Sequence, residues 1–260
     1  MPNRDNSMFA EERKKSIVDY VNRNIKATVE ELCDLFSVSP ATIRNDLREL
    51  EEKKYVKRTH GGVISVKSGN YELNSNEKAV ECIAEKERIA QAAVSHVSEG
   101  DIIAIDSGTT TYEFAKRLVT FRNLTVVTND LHISEYLERN SKAEIILAGG
   151  KVRRGYNCTT GQKAAVTLAG LNVDKAFIGG NGISMQKGLT TPNMDMAVVK
   201  ETLIHIADEI YFLADSTKIE HTAFISFAGI SQVDCFITDK GADRKFLKEL
   251  EAVEVKVELV

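Results

Sequence analysis

Apolar and polar positions fall into two regimes along the chain. Over roughly the first 64 residues the apolar positions follow a helical period. In "MFAEERKKSIVDYVNRN", Ile17, Val18 and Val21 share a face, with Phe9 more than a turn before them. Thr28 precedes "VEELCDLF", and Glu31 three residues on completes a capping-box pattern. After a short break at "SVS", Ser39 is placed to cap a third helix, with Pro40 at its first position. Ile43, Leu47 and Leu50 then fall at i, i+4 and i+7, a single buried stripe. Beyond Lys54 the pattern turns extended, and "YVKRTHGGVISV" reads as two short strands around Gly61-Gly62. Three helices followed by a hairpin predict a winged helix-turn-helix.

The second regime begins after a polar stretch, "KSGNYELNSN", that reads as a hinge. From Glu77 to about Val97 the spacing predicts one long helix, with Ile83, Ile89, Ala90, Ala93, Val94 and Val97 on its apolar side. Short apolar runs then alternate with helical segments: "DIIAID", "LTVVT", "EIILAG", "DKAFIG", "EIYFLA" and "VDCFIT". Apolar runs without strict alternation suit a mostly parallel sheet covered on both faces. The expected fold class is therefore α/β. A winged helix-turn-helix over 1–66 is joined through a linker at 67–77 to a Rossmann-like, mostly parallel α/β domain over 78–260.

Composition changes this picture little. The chain of 260 residues is 43% hydrophobic and 28% charged, with no apolar run of spanning length and no secretory signal at its polar start. Cys33, Cys82, Cys158 and Cys235 form no CxxC pair, and the five histidines show no paired ligand spacing. The expectations are a cytoplasmic protein with no membrane association, no metal and no cofactor. Charge is more informative. Net charge is −4, but residues 1–64 hold 12 Lys and Arg against 11 Asp and Glu, and "KKYVKRTH" gathers Lys53, Lys54, Lys57 and Arg58 without an acid. Local concentration, not the total, decides whether a surface can meet a phosphate backbone.

Two stretches carry candidate chemistry. On the third helix, with Ile43 and Leu47 inward, Thr42, Arg44, Asn45 and Arg48 are left outward. Arg can fork onto guanine, Asn onto adenine, and Thr can meet a phosphate or a thymine methyl. Ser39 and the helix start can hold a backbone phosphate. Lys57, Arg58 and His60 on the wing would reach sugar-phosphate or the minor groove. Further on, "DSGTTT" places Ser107, Gly108, Thr109, Thr110 and Thr111 between a buried strand and a helix, where N–H groups and hydroxyls can grip a phosphate. Asp106 either caps that turn or contacts a sugar hydroxyl. Gly149 and Gly150, in "LAGGKVRRG", mark another strand-end turn expected at the same sheet edge.

The amino-terminal pattern resembles the DeoR family of bacterial transcription regulators. That family has an Arg with apolar residues four and eight positions later, then Ser-x-x-Thr-Ile-Arg-x-Asp-Leu. Here these are Arg13, Ile17, Val21, then Ser39, Thr42, Ile43, Arg44, Asp46 and Leu47, and "RTHGG" is similar to the family's wing. The family's second domain resembles ribose-5-phosphate isomerase, and "DSGTTT", "VVTND" and "DSTK" are similar to segments of it. The resemblance implies that Lys86 and the Ser107–Thr111 loop hold a phosphate, with Thr128, Asn129, Lys187 and Lys218 lining the sugar end. It also implies the isomerase's paired carboxylates, and those are missing. "GGNGIS" stands in place of one acidic turn and Val199 in place of a glutamate, with Asp195 near enough to leave one acid open. The expectation is a non-enzymatic, DNA-binding repressor of sugar-metabolism genes. Its partners would be double-stranded operator DNA, a small phosphorylated sugar as effector, and further copies of itself in a homodimer or homotetramer. An active sugar-phosphate isomerase with a DNA-binding appendage is the alternative.

Overall fold

The computed structural model describes residues 10–53, 55–65 and 72–260; Phe9, Lys54 and linker residues 67–71 lie outside these. The chain divides into two compact units, Met1–Glu72 and Leu73–Val260.

The first unit runs α1 (Ala10–Asn24), β1 (Lys26–Thr28), α2 (Val29–Phe36), α3 (Pro40–Glu52), β2 (Val56–Thr59) and β3 (Gly62–Ser65). Its helices start where the side chains can satisfy free N–H groups. Thr28 and Glu31 form the reciprocal capping box of α2, and Ser39 accepts from the Thr42 N–H at the start of α3. Ile17, Val21, Leu32, Ile43, Leu47, Leu50, Val56 and Val63 make one core. The hairpin turns at His60-Gly61, with Gly62 already paired to Thr59 inside β3. A third strand, β1, which the sequence reading did not anticipate, pairs antiparallel with β3 and gives the order β1-β3-β2. A Cβ on Gly62 would stand 2.5 Å from the Ala27 carbonyl oxygen, so only glycine lets β1 close onto the wing.

The second unit opens with α4 (Ser75–Ala79) and α5 (Ile83–Val94), followed by β4 (Ile102–Ile105), α6 (Thr109–Ala115), β5 (Thr125–Thr128), α7 (Leu131–Asn140) and β6 (Glu144–Leu147). Next come β7 (Lys151–Arg153), β8 (Cys158–Thr160), α8 (Gln162–Leu168), β9 (Val173–Ile178), β10 (Gly182–Ser184), β11 (Gly188–Thr191) and α9 (Met194–His205). The chain finishes with β12 (Ala207–Leu213), β13 (Ile225–Ala228), β14 (Cys235–Thr238), α10 (Arg244–Glu251) and β15 (Lys256–Leu259).

Seven strands form a parallel sheet in the order β15-β14-β12-β9-β4-β5-β6. Successive side chains of a strand point to opposite faces, so each strand feeds two cores. Ile103, Ile105, Val126, Phe177, Tyr211 and Ile237 pack with α5 and α6, while Ala104, Val127, Ala176, Ile178, Phe212 and Phe236 pack on the other face. From β4 the chain builds outward through β5 and β6, then returns to β9 on the other side. Adjacent connections diverge between β4 and β9, and a crevice opens beyond the carboxyl ends of those strands.

The single helix expected from Glu77 to Val97 is broken. α4 already begins at Ser75, inside the expected linker, capped by Asn74 with Glu77, and α5 starts after Cys82, whose φ is 50°. The carbonyls freed at the break are not left bare. The Lys86 ammonium donates to Lys78 O at 2.5 Å and Glu81 O at 2.7 Å. No glycine or proline marks the site, so local pattern gave no warning of it.

Candidate functional site

In the amino-terminal unit α3 is fixed from behind. Asp46, on the inner side of α3, accepts from Arg13 Nε at 2.6 Å and Nη2 at 3.2 Å, and the pair is buried. The Asp46 carboxylate holds the Arg13 guanidinium more firmly protonated than usual, against the opposing effect of burial. Lys14 adds a second tie to Glu49, at 2.6 Å. With the inner face committed, Arg44, Asn45 and Arg48 stand exposed on the outer one. Arg48 Nη2 donates to Asn45 Oδ1 at 2.7 Å, which sets those two side chains as one polar unit. Thr42 is half-buried against Ser39, their hydroxyls 2.9 Å apart at the helix start. On the wing Lys57 and His60 are exposed. Arg58 is exposed as well but is paired. Its Nε lies 2.9 Å from Glu51 Oε2 and its N–H donates to Glu51 Oε1 at 2.7 Å, which braces β2 against the end of α3.

In the carboxyl-terminal unit the crevice at the β4–β9 divergence collects several of the expected residues. Asp106, directly after β4, is fully buried; its Oδ2 accepts from the Gly179 N–H at 3.0 Å and from the Lys200 ammonium. Lys200 also donates to Gly179 O at 2.9 Å, so one buried pair joins the ends of β4 and β9 to α9. Asp106 thus neither caps the Ser107–Thr111 turn nor faces solvent, though its Oδ1 is buried without a partner. The start of α6 has Gly108 as its cap residue and no side-chain cap, and Thr111 Oγ1 donates to Gly108 O at 3.0 Å. Ser107, Gly108 and Thr109 are half-buried and Thr110 and Thr111 are buried.

From the neighbouring strand, Thr128 Oγ1 donates to Ile105 O at 2.7 Å, and Asn129 Nδ2 donates to Thr159 O at 2.9 Å. Asn129 Oδ1 is the second buried, unpartnered oxygen here. Asp130 follows. Its Oδ1 caps α7 by accepting from the His132 and Ile133 N–H groups at 2.8 and 3.0 Å. Burial pushes its carboxyl up to about 7; the Ile133, His132 and Gly108 N–H groups oppose the rise and Asp106 adds to it.

The remaining expectations spread out. Lys86 is buried on the Lys78 and Glu81 carbonyls, and burial depresses its pKa, with Asp215 raising and Lys218 lowering it. Lys218 Nζ lies 3.9 Å from Asp215 Oδ2 and donates to Thr217 Oγ1 at 3.1 Å. Lys86 and Lys218 therefore share a neighbourhood around Asp215. Lys187 stands apart, exposed in the β10–β11 turn at the end of that hairpin remote from Asn181. Gly149 and Gly150 are exposed beyond β6, with Gly150 packed on Ala164, whose Cβ would be 3.0 Å from an added one. Val199 is fully buried, and Asp195 is half exposed at the start of α9, 3.7 Å from Lys151. Lys200 and Asp130 were not anticipated. The signal for both was a charged residue inside an otherwise apolar strand end or helix face, in "VVTND" and "AVVKE". Among the described residues no helix is long and apolar enough to cross a membrane.

Comparison with known proteins identifies the family of both units. Residues 13–69 match the DeoR-like helix-turn-helix domain, and residues 81–240 match the DeoR C terminal sensor domain. The chain is 36% identical over 250 residues to the HTH-type transcriptional regulator GlpR of Haloferax volcanii, covering 96% of this chain and 98% of that one. It is 32% identical to the HTH-type transcriptional repressor GlcR of Bacillus subtilis, covering 92% of each. A solved ribose 5-phosphate isomerase from Methanocaldococcus jannaschii aligns over 52% of this chain at 17% identity, with a TM-score of 0.39. The chain belongs to the DeoR family of DNA-binding transcriptional regulators. Its relatives are named as regulators, which does not favour the isomerase alternative.

Proposed function

We propose that this DeoR-family chain is a repressor of sugar-metabolism genes, released from or fixed to its operator by a small phosphorylated sugar. In this reading residues 1–66 form the DNA-binding part, 67–77 the linker and 78–260 the sensor. Arg44, Asn45 and Arg48 meet base edges, Ser39 and Thr42 a backbone phosphate, and Lys57, Arg58 and His60 the flank of the site. Arg58 would have to leave Glu51 to do so, at little cost for so exposed a pair. Two or four copies acting together in the cytoplasm would engage paired half-sites.

The observation that carries the sensor reading is the convergence of Ser107–Thr111 with Thr128 and Asn129 at the sheet's divergence point. The loop offers hydroxyls and uncapped N–H groups to an anion, and the two unpartnered oxygens behind it suit hydroxyl donors. The local acids do not forbid an anion, since Lys200 neutralises Asp106 and Asp130 is near half-protonation at neutral pH. Lys86 and Lys218, grouped around Asp215, are assigned to the same effector in this reading. For binding to control DNA, the effector must prefer one arrangement of the chain over another.

Thermal unfolding of the full chain against phosphorylated sugars and their unphosphorylated forms tests this. A cognate phosphosugar at a hundredfold excess over its Kd should raise Tm by about 5 °C, and its unphosphorylated form should not. A flat response across the panel would leave the second unit as an oligomerisation module.

A further inference from the structure

His96, Cys235 and Glu258 come from three separate elements and meet at one place. Each offers one ligand atom, and the three atoms lie within 4.8 Å of one another. We propose that these side chains form a binding site for a zinc-type divalent transition-metal ion, which would fasten the edge strand β15 to the end of α5.

The meeting follows from the register of the sheet. In the parallel β14–β15 pair, Cys235 lies opposite Lys256 and Ile237 opposite Glu258. With a side-chain period of two, Cys235, Ile237 and Glu258 all face the α5 side. His96 follows α5 by two residues, and its ring centroid is 4.7 Å from that of Tyr211, the residue paired with Cys235 on the inner strand β12. Its Nε2 is turned to Glu258 Oε2, 2.7 Å away. The cluster begins at the first residue of β14, whereas the sensing crevice lies beyond the strands' last residues.

The donor set is what selects the ion. Thiolate, imidazole and carboxylate together suit zinc and its neighbours, not calcium or magnesium, which take oxygen donors. Metal–ligand lengths of about 2.0–2.3 Å place tetrahedral donors about 3.3–3.6 Å apart. The imidazole and carboxylate must therefore part by under about an ångström, and the thiol must close by up to about 1.5 Å, within reach of side-chain rotation. The His96 and Glu258 side chains keep 16% and 30% of their surface exposed, so an ion can enter and a water can fill the fourth position. As the sulfur–metal bond forms, the Cys235 S–H bond breaks and its proton leaves to solvent. Of the surrounding charges, Asp234 and Glu258 favour a dication and Lys256 opposes it. His96 and Glu258 are 162 positions apart in sequence, which is why no ligand spacing announced the site.

The test loads the chelator-treated full chain with Co2+ and with Zn2+. Co2+ should produce a thiolate-to-metal charge-transfer band at one equivalent, and Zn2+ should abolish it by displacement. In Cys235→Ser the band should vanish, and in His96→Ala the apparent Kd should rise at least tenfold. Cys235 is buried, so alkylation is followed in mild denaturant, where zinc should slow its modification in the unmutated chain, read by peptide mass, while Cys82 stays reactive; this readout holds even if a variant fails to fold. Absence of the band in the unmutated chain, its persistence in Cys235→Ser, or alkylation of Cys235 at the same rate with and without zinc would each overturn the proposal.

Discussion

Arg13 and Asp46 stand 33 positions apart in sequence and 2.6 Å apart in the fold, a buried ion pair that locks α1 to the inner face of α3. They belong to the same family signature as Arg44, yet they face the opposite way. The signature thus divides into residues that hold the helix and residues that it presents.

Removing one partner should cost more than the pair itself contributes, because a buried charge is then left uncompensated. Asp46→Ala should destabilise the amino-terminal unit by about 3–5 kcal/mol, read as an early transition in urea unfolding followed by circular dichroism. Replacing both partners, Arg13→Met with Asp46→Leu, should recover most of that loss. Equal damage from the single and the paired change would contradict the role given to the ion pair.

On the outer face the expected effects differ in kind. Arg44→Ala should cost about 1–3 kcal/mol on the preferred operator and relax base choice at one position. Lys57→Ala should weaken binding to every sequence alike and reduce the slope of log K against log salt by about one. Anisotropy titrations on matched and scrambled duplexes at several salt concentrations separate the two.

Asp130 carries a pH dependence of determinate sign. Its carboxyl is raised by burial from 3.8 to about 7, so the folded chain binds that proton more tightly than the unfolded one. The associated stability is complete below about pH 4 and is lost as pH rises to about 7. Asp130→Asn can still cap α7 and has no charge to bury. Its stability should exceed that of the unmutated chain at about pH 8 by on the order of a few kcal/mol, read as a higher Tm, and match it at about pH 4. Parallel pH profiles would show that Asp130 is not the group responsible.

Gly62→Ala should detach β1 from the wing. The new Cβ would meet the Ala27 carbonyl oxygen at 2.5 Å and the Thr28 Cα at 3.2 Å, both backbone atoms that cannot swing aside. A loss of about 1–3 kcal/mol is expected, with faster amide exchange at Ala27 and Val63.

Much of the fold was legible because its signals are local. The capping residues Thr28, Glu31 and Ser39 and the six apolar strand runs all sit where their patterns placed them. What escaped notice depends on distant partners. β1 is three residues long and exists only because β3 lies beside it. β15 is the exception, since "KVEL" alternates with the strand period, a local signal, and pairing with β14 places it at the sheet edge. The break at Val80–Cys82 is stabilised by Lys86 reaching back five and eight residues, which periodicity does not report. The candidate site divides the same way. The Ser107–Thr111 turn could be read from its composition, whereas the buried Asp106–Lys200 pair spans 94 positions and needed the fold to bring it together.

In the proposed function the sensor unit uses a phosphosugar to change how the other unit holds DNA. The direct measurement is operator affinity of the full chain by anisotropy, with and without the sugar phosphate that stabilises it, repeated for Thr109→Ala. The account predicts at least a tenfold shift in Kd for the unmutated chain, none with the unphosphorylated sugar, and a blunted shift in Thr109→Ala with unchanged affinity for DNA alone. An operator affinity indifferent to every phosphorylated sugar, or one that Thr109→Ala abolishes in a folded protein, would contradict it.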